Sequence, residues 1–405
     1  FDPSSRPVLP SPDFSKSEPY PRFAESIENQ LSNVLNTEFS SAMTKVGISA
    51  AVYQGEKLWT ESIGISKLSE PMLTTTPIGI KSTSKTFLAA LILTQIEDGL
   101  YELDDRLSNL LKDNLSYQNL NKTNIPNASV RELLTMTSGI SEANINSFAG
   151  FMMMGVSPTW EPSDNLGLID AKPQEPGVFH YTNVSSDLLG MIAEDFGGND
   201  LSILYRDAFL DDIYVETVLL PNTAIPEEIA SPHDYLSQFG GAGGFGDLTD
   251  IPAFSKIGFI RADGRSCWAG CGIISTAENM ARWGYELFSP SGRAISSHVR
   301  NQLTNSFMDN PITLAGGPQH YGYHVARKEH GLSDGSRIIT YGHPGGGAGY
   351  ASVLFYSPSE DLSISLLANS DLGQAVGTCA AVLDKHWLNP LDCISIGFFE
   401  AMKAK

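Results

Sequence analysis

Ser82-Thr83-Ser84-Lys85 is the only Ser-x-x-Lys in this chain, and its Ser and Lys are the residue types that nucleophilic catalysis needs. A serine hydroxyl is a poor nucleophile until a neighbouring base takes its proton. If a helix begins at Ser82, the Lys85 amine lies one turn on along the same face, within reach of that proton. The helix N-terminus would also present free backbone N–H groups and a positive dipole end to a developing oxyanion. Alone, the tetrapeptide equally describes an N-cap Ser followed by a surface Lys, so its surroundings decide. From Phe87 to Leu93 the chain is apolar on nearly all faces, and the segment that starts at Ser84 stops at Gly99, a residue suited to the left-handed C′ position. This predicts a buried helix. Burial disfavours an ammonium ion, so it moves Lys85 towards the range in which a free amine acts as base.

Two further clusters carry chemistry. Pro176-Gly177-Val178-Phe179-His180-Tyr181-Thr182-Asn183 places a phenol and an amide two residues apart on a turn, before a helix-like stretch from Ser186 to Phe196. Tyr341-Gly342-His343-Pro344-Gly345-Gly346-Gly347 breaks into a strand, where glycines would let a substrate approach the backbone closely. Each cluster has a rival. Tyr117-Gln118-Asn119 repeats the Tyr-x-Asn spacing, and His320-Tyr321-Gly322 offers another His beside Gly. Singly, Tyr181 reads as a core aromatic, Asn183 as a turn residue and His343 as a turn histidine.

The elements that must position these residues fall into three stretches. Residues 47–65 alternate around a turn at Gln54-Gly55-Glu56, which predicts a β-hairpin. Residues 128–300 are rich in helix signals, including Ser129 with Glu132 three residues on, a capping box. Residues 337–369 return to strands. Strands near both ends with helices between imply one sheet built from both ends of the chain. We expect an extended, loosely ordered arm at residues 1–24, left after processing, a sheet domain from 25–115 and 315–405, and an inserted helical domain at 116–314. The arm holds six Pro within residues 1–22.

Hydrophobic residues make up 41% of the 405, ample for a large core, and no apolar run approaches a membrane span. A net charge of −20 disfavours nucleic acid and anionic membrane as partners. The expected partner is a small-molecule or peptide substrate, and the oligomeric state is left open. Cys379 and Cys393 make the more natural local bridge of the four cysteines, with free buried thiols as the alternative reading for all four. No Cys/His spacing suits zinc, and no cofactor is expected. Asn114, Asn121 and Asn127 head glycosylation sequons that matter only in a eukaryotic secretory route. A secreted or periplasmic location is the expectation.

In joint order, these motifs resemble the serine β-lactamase and penicillin-binding-protein superfamily, in its branch of class C β-lactamases, DD-carboxypeptidases, D-aminopeptidases and esterases. The resemblance covers roughly residues 25–385. It rests on Ser82-x-x-Lys85 together with Gly99-Leu-Tyr-Glu-Leu-Asp-Asp105, Val130-Arg-Glu-Leu-Leu-Thr-Met-Thr-Ser-Gly139 and Gly270-Cys-Gly-Ile-Ile-Ser-Thr-Ala277. It selects Tyr181-Thr182-Asn183 over Tyr117, because Pro176-Gly177 precedes it, and His343 over His320, because glycines and a strand follow. It implies an α/β fold, an α+β sandwich of the β-lactamase/transpeptidase type. An antiparallel sheet is flanked by helices, a mostly helical domain is inserted, and the site lies between them. Ser82 would form an acyl-enzyme, with Lys85 and Tyr181 sharing its proton; which of them is the base stays open. Asn183 would donate its amide to the substrate. His343, Gly345 and Gly346 would line the substrate site, and the backbone N–H groups of Ser82 and Gly346 would form the oxyanion hole.

One departure is informative. Many β-lactam-hydrolysing relatives carry Lys-Thr-Gly where this chain has His343-Pro344-Gly345, and Pro344 has neither hydroxyl nor N–H. That weakens recognition of a substrate carboxylate and leaves aminopeptidase, amidase, esterase or acyl-transfer chemistry. The stretch Phe148-Ala-Gly-Phe-Met-Met-Met-Gly-Val156, with Trp160 nearby, would suit an apolar overhang of the groove or ordinary core. The expected activity is a serine hydrolase cleaving an amide or ester. An acyltransferase of secondary metabolism and a non-catalytic peptidoglycan- or ligand-binding protein are the competing readings.

Overall fold

The computed structural model describes residues 8–16, 19–42, 46–120, 122–143, 160–220, 223–235, 245–250, 256–314, 316–371 and 375–403, with Gly155 and Ser157 besides. Its largest element is an antiparallel sheet of eight strands: β1 Ile48–Gln54, β2 Lys57–Ile63, β3 Ile312–Leu314, β4 Gly317–Tyr321, β5 Ala326–Gly331, β6 Arg337–Gly347, β7 Tyr350–Ser357 and β8 Leu362–Ala368. Their order across the sheet is β3-β4-β5-β6-β7-β8-β1-β2. The expected hairpin is β1–β2, turning at Gly55, whose φ of 63° is left-handed. β1 joins the C-terminal strands by pairing Ile48 with Ala368 and Val52 with Ile364. One sheet is thus closed by both ends of the chain.

Period-two alternation sends successive side chains into different cores. Ile48, Ala50, Val52, Val353, Phe355, Ile364 and Leu366 pack with Leu31 and Leu35 of helix α1 (Glu25–Ala42) and Phe398 of helix α5 (Pro390–Lys403). Ala51, Tyr53, Leu354, Tyr356 and Leu367 face the other way, towards Met280, Trp283 and Leu287 of helix α4 (Ala277–Phe288). Helix α4 lies close to the sheet because Gly284 has no side chain; a Cβ there would meet Leu354 Cδ1 at 2.7 Å.

Helix α2 (Lys85–Glu97) is buried on every residue from Lys85 to Leu93, as its unbroken apolar composition predicts. Phe87 stacks on Trp283 with ring centroids 4.1 Å apart, and the Trp283 indole donates to Thr86 Oγ1 at 2.9 Å. Helix α3 (Asn183–Gly197) packs beside it and ends at Gly198 in the left-handed conformation.

Two of the stretches that support the resemblance beside Ser82-x-x-Lys85 act as scaffold. The capping box at Ser129 and Glu132 forms, and Arg131 pairs with Asp104 at 2.8 Å. Beyond that short helix, the carbonyls of Met136, Thr137 and Gly139 accept from the N–H groups of His180, Gly177 and Gln174, so this stretch carries the turn that precedes Tyr181. In the same way, the Ile273 carbonyl accepts from Ile80 N–H at 2.9 Å, seating the chain that enters Ser82.

Two expectations change. The N-terminal arm is not loose over residues 8–16. Leu9 bridges Thr223, and Phe14 is buried with Val218, Leu220 and Ile260, so apolar burial and a backbone bridge together anchor this stretch. The cysteines form two bridges, Cys379–Cys393 as anticipated and Cys267–Cys271 as well, and among the described residues no thiol is free. Of the Phe148–Val156 stretch, all but Gly155 lies outside the described residues.

Candidate active site

Ser82 does not open a regular α-helix. Lys81–Ser84 form a 3-10 turn that runs into α2 at Lys85. With three residues per turn, the spacing still stacks Ser82 and Lys85 on one side, and Lys85 Nζ lies 3.3 Å from Ser82 Oγ. Lys81, just before Ser82, has a φ of 52°, an uncommon conformation for a residue with a side chain.

Lys85 is fully buried. Its Nζ also lies 2.7 Å from Asn183 Oδ1 and 3.0 Å from the Gly270 carbonyl oxygen. Burial lowers its pKa to about 7, against the pull of the Glu142 and Asp187 carboxyls and with a smaller push from Lys81. A free amine has two N–H donors and one lone pair. In that form, donation to Asn183 and Gly270 uses both donors and turns the lone pair towards Ser82 Oγ, whereas an ammonium donates to all three oxygens.

Tyr181 hydrogen-bonds Ser82 from the other side, and its ring centroid is 4.9 Å from Lys85 Nζ. Burial pushes its phenol well above the ordinary range, more than the bond to Ser82 draws it back. Tyr181 is therefore a protonated phenol. Asn183 is not a turn residue but the first residue of α3, capped by Thr182. Its backbone N–H donates to Glu142 Oε2 at 2.7 Å, and its amide faces Lys85 and Glu142.

The strand side is arranged differently from the sequence reading. His343 is 1% exposed. Its Nδ1 lies 2.5 Å from the Pro344 carbonyl, which can only accept, so Nδ1 carries the hydrogen and Nε2 accepts from the Tyr321 hydroxyl at 3.1 Å. Burial, with Lys85 nearby, lowers its pKa to about 3. A neutral imidazole with both nitrogens engaged does not reach towards a substrate. Gly345 makes room for the Ser82 turn: a Cβ there would strike the Ile80 carbonyl and Ser352 Oγ and lie 3.0 Å from Lys81 Cβ. Thr83 Oγ1 closes the same seam by donating to the His343 carbonyl at 2.9 Å. Gly346 alone of these is exposed, with nothing nearer to its Cβ position than Asp371 Oδ1 at 3.8 Å.

Residues that sequence reasoning missed complete the surroundings. Glu142 holds Asn183, and burial raises its carboxyl pKa. Asp187 is buried beside Asn165 and is pushed well up by desolvation. Behind Lys85, His324 Nδ1 donates to the Leu134 carbonyl at 2.9 Å and Nε2 accepts from Ser186 Oγ at 3.0 Å. Tyr321, part of the rejected His320 triplet, supports His343. No single-residue signal marks Glu142 or Ser186, whereas Tyr321 and His324 stood in an aromatic and His-rich run that offered a hint. Among the described residues no cluster of His, Cys, Asp and Glu is arranged to hold a metal ion, and no helix is long and apolar enough to cross a membrane.

A beta-lactamase family model aligns with residues 35–384. The chain belongs to the beta-lactamase family. Solved structures share the fold. The D-amino acid amidase from Ochrobactrum anthropi SV3, complexed with D-phenylalanine, superposes with a TM-score of 0.73 at 19% identity, over 94% of this chain and 100% of that one. A D-stereospecific amidohydrolase from Streptomyces sp. gives 0.63 at 20% identity, over 89% and 98%. The octameric penicillin-binding protein homologue from Pyrococcus abyssi gives 0.62 at 19% identity, over 89% and 78%. The expected α/β fold, a large antiparallel sheet flanked by helices, is therefore the fold of this beta-lactamase family member, and the family points to a hydrolase.

Proposed function

We propose that this protein is a serine hydrolase that cleaves amides or esters through an acyl-enzyme on Ser82. The observation that carries the reading is the contact set of Lys85: two oxygen acceptors for its hydrogens, and Ser82 Oγ at the remaining position. Lys85 takes the Ser82 proton as Oγ bonds to the substrate carbonyl carbon. The carbonyl electron pair moves to oxygen, facing the N–H groups of Ser82 and Gly346. Tyr181, protonated and bonded to Ser82, relays a proton to the departing amine or alcohol and is replenished from Lys85. Water then attacks the ester, with the same groups returning the proton to Ser82.

Neutral, buried His343 offers no cation to a substrate carboxylate, which supports amides and esters over peptides with a free C-terminus at that strand. The relatives named for D-amino acid amides make small amino-acid amides, of either configuration, the first substrate class to screen. The two disulfides support an oxidising compartment, so a secreted or periplasmic location belongs to the same proposal.

The test is intact-protein mass spectrometry after a fluorophosphonate and, in parallel, a short p-nitrophenyl ester, with Ser82→Ala as control. A single adduct that needs Ser82, with nitrophenol released, is expected. No adduct on folded wild-type protein would replace the hydrolase with a binding protein. Faster release of acyl product with an added amine or alcohol than with water would replace it with an acyltransferase.

A further inference from the structure

We propose that Lys81 and Asp263 are a positioning pair that holds the left-handed entry to the Ser82 turn and sets an ammonium beside Lys85. The inference rests on the reading of Ser82 as nucleophile. Three independent features meet at Lys81. Its backbone has φ 52°, which a lysine adopts only when its surroundings impose it. Its side chain is 5% exposed and its Nζ is paired with Asp263 Oδ1, itself on a side chain 9% exposed. Its Cβ packs beside β6, 3.0 Å from where a side chain on Gly345 would begin.

A surface lysine could leave this conformation freely. This one has its Cβ packed beside Gly345 and its Nζ held by the carboxylate. Desolvation makes a buried ion pair a weak source of net stability, while removing one partner strands the other charge. The pair therefore fixes geometry more than it adds stability. Asp263 sits on the helix Lys256–Ser266, and the chain that follows it supplies the Gly270 carbonyl to Lys85. One short segment thus grips both ends of the nucleophile turn, Lys81 by its carboxylate and Lys85 by its carbonyl.

The charged groups facing Lys85 are Glu142 and Asp187, which favour its ammonium form, and Lys81, which opposes it; His324, His343 and Tyr181 line it in neutral form. Among these charged groups Lys81 alone is positive, so its removal shifts the Lys85 titration upward.

The experiment measures fluorophosphonate labelling rates against pH for wild type, Asp263→Asn and the double variant Lys81→Gly/Asp263→Asn, each checked for folding by circular dichroism. Asp263→Asn strands the Lys81 charge, and its plateau rate should fall about tenfold as the turn loses its hold. In the double variant the charge is gone and glycine takes the positive φ without strain. Its plateau should return to within about threefold of wild type, while its acid limb moves to higher pH. An unchanged plateau in Asp263→Asn, or a double variant whose limb coincides with that of wild type, would overturn the proposal. Should Asp263→Asn not fold, the limb of the double variant decides. Failure of the wild type to label at all would instead sink the reading of Ser82.

Discussion

The two walls of the site meet the same serine in different ways. On the helix side, Lys85, Tyr181 and Asn183 are joined by side-chain contacts to Ser82 or to one another. On the strand side, His343 turns both ring nitrogens inward, to Tyr321 and to the Pro344 carbonyl, and Gly345 gives its space to the backbone of the Ser82 turn. In the proposed mechanism side chains do the proton chemistry on one wall, and backbone forms the other. The difference follows from the elements. The start of a helix projects side chains three or four residues apart onto one target, whereas a central strand buries alternate side chains and presents its peptide groups at the edge of the groove.

If that division is right, the largest loss comes from the helix side. Lys85→Met keeps the length of the side chain and removes the amine. The acylation rate, read as the nitrophenol burst from a p-nitrophenyl ester, should fall about a thousandfold. In wild type the same rate should rise with pH through about 7 and then level, because Lys85 works as base only after losing its proton and its pKa is lowered to about 7. The rise should vanish in Lys85→Met. A variant that keeps both the rate and the rise would assign the base to another group.

Tyr181→Phe comes next. A phenol that relays the proton is worth about a hundredfold, the usual scale for one general acid–base group. Since burial keeps the phenol protonated, the variant should slow the amide substrate more than the nitrophenyl ester, whose leaving group departs without a proton. Equal losses on both would make Tyr181 a positioning residue only.

The sequence made the helix wall readable and the strand wall much less so. Ser82 and Lys85 were recognisable from their spacing at an apolar helix, and Tyr181 and Asn183 from the family resemblance, which selected them over Tyr117 and Asn119. The position of Ser82 in a 3-10 turn, and the left-handed Lys81 before it, were not. Helix patterns locate an element better than its first residue, and nothing in a lysine announces positive φ. His343 and Gly345 were found as residues but misread in direction. Which way a buried ring points depends on Tyr321, which is distant in sequence and paired to it only through the sheet. Glu142 and the Gly270 carbonyl depend wholly on tertiary approach. The sheet itself was anticipated from strand alternation near both ends, and the packing of Phe14 was not, because a Pro-rich arm carries no period.

The two adjacent glycines of β6 sharpen the comparison within a single strand. Gly345→Ala places a methyl against the Ile80 carbonyl and Ser352 Oγ, and overpacking of this kind costs about 1–3 kcal/mol. Gly346→Ala meets only Asp371 Oδ1, at an ordinary contact distance of 3.8 Å. Thermal unfolding should therefore show a lowered midpoint for Gly345→Ala and an unchanged one for Gly346→Ala. The reverse order would place the substrate, not the nucleophile turn, against Gly345.

His343→Gln should change the activity least. Glutamine can still hydrogen-bond Tyr321, and no charge is lost because the imidazole is neutral down to about pH 3. Turnover of a neutral amide should stay within about tenfold of wild type, a loss of positioning alone, with the limb near pH 7 in place. The stability effect has a definite sign. A histidine whose pKa is lowered on folding binds its proton more readily in the unfolded chain, so wild type loses stability as pH falls from about 6.5, its unfolded value, towards about 3. His343→Gln removes that group, and its loss of stability across the same window should be shallower in denaturant titrations. A steeper loss, or a turnover defect confined to substrates bearing a carboxylate, would show instead that His343 is charged and faces the groove, and the strand wall would then bind substrate through side chains as well.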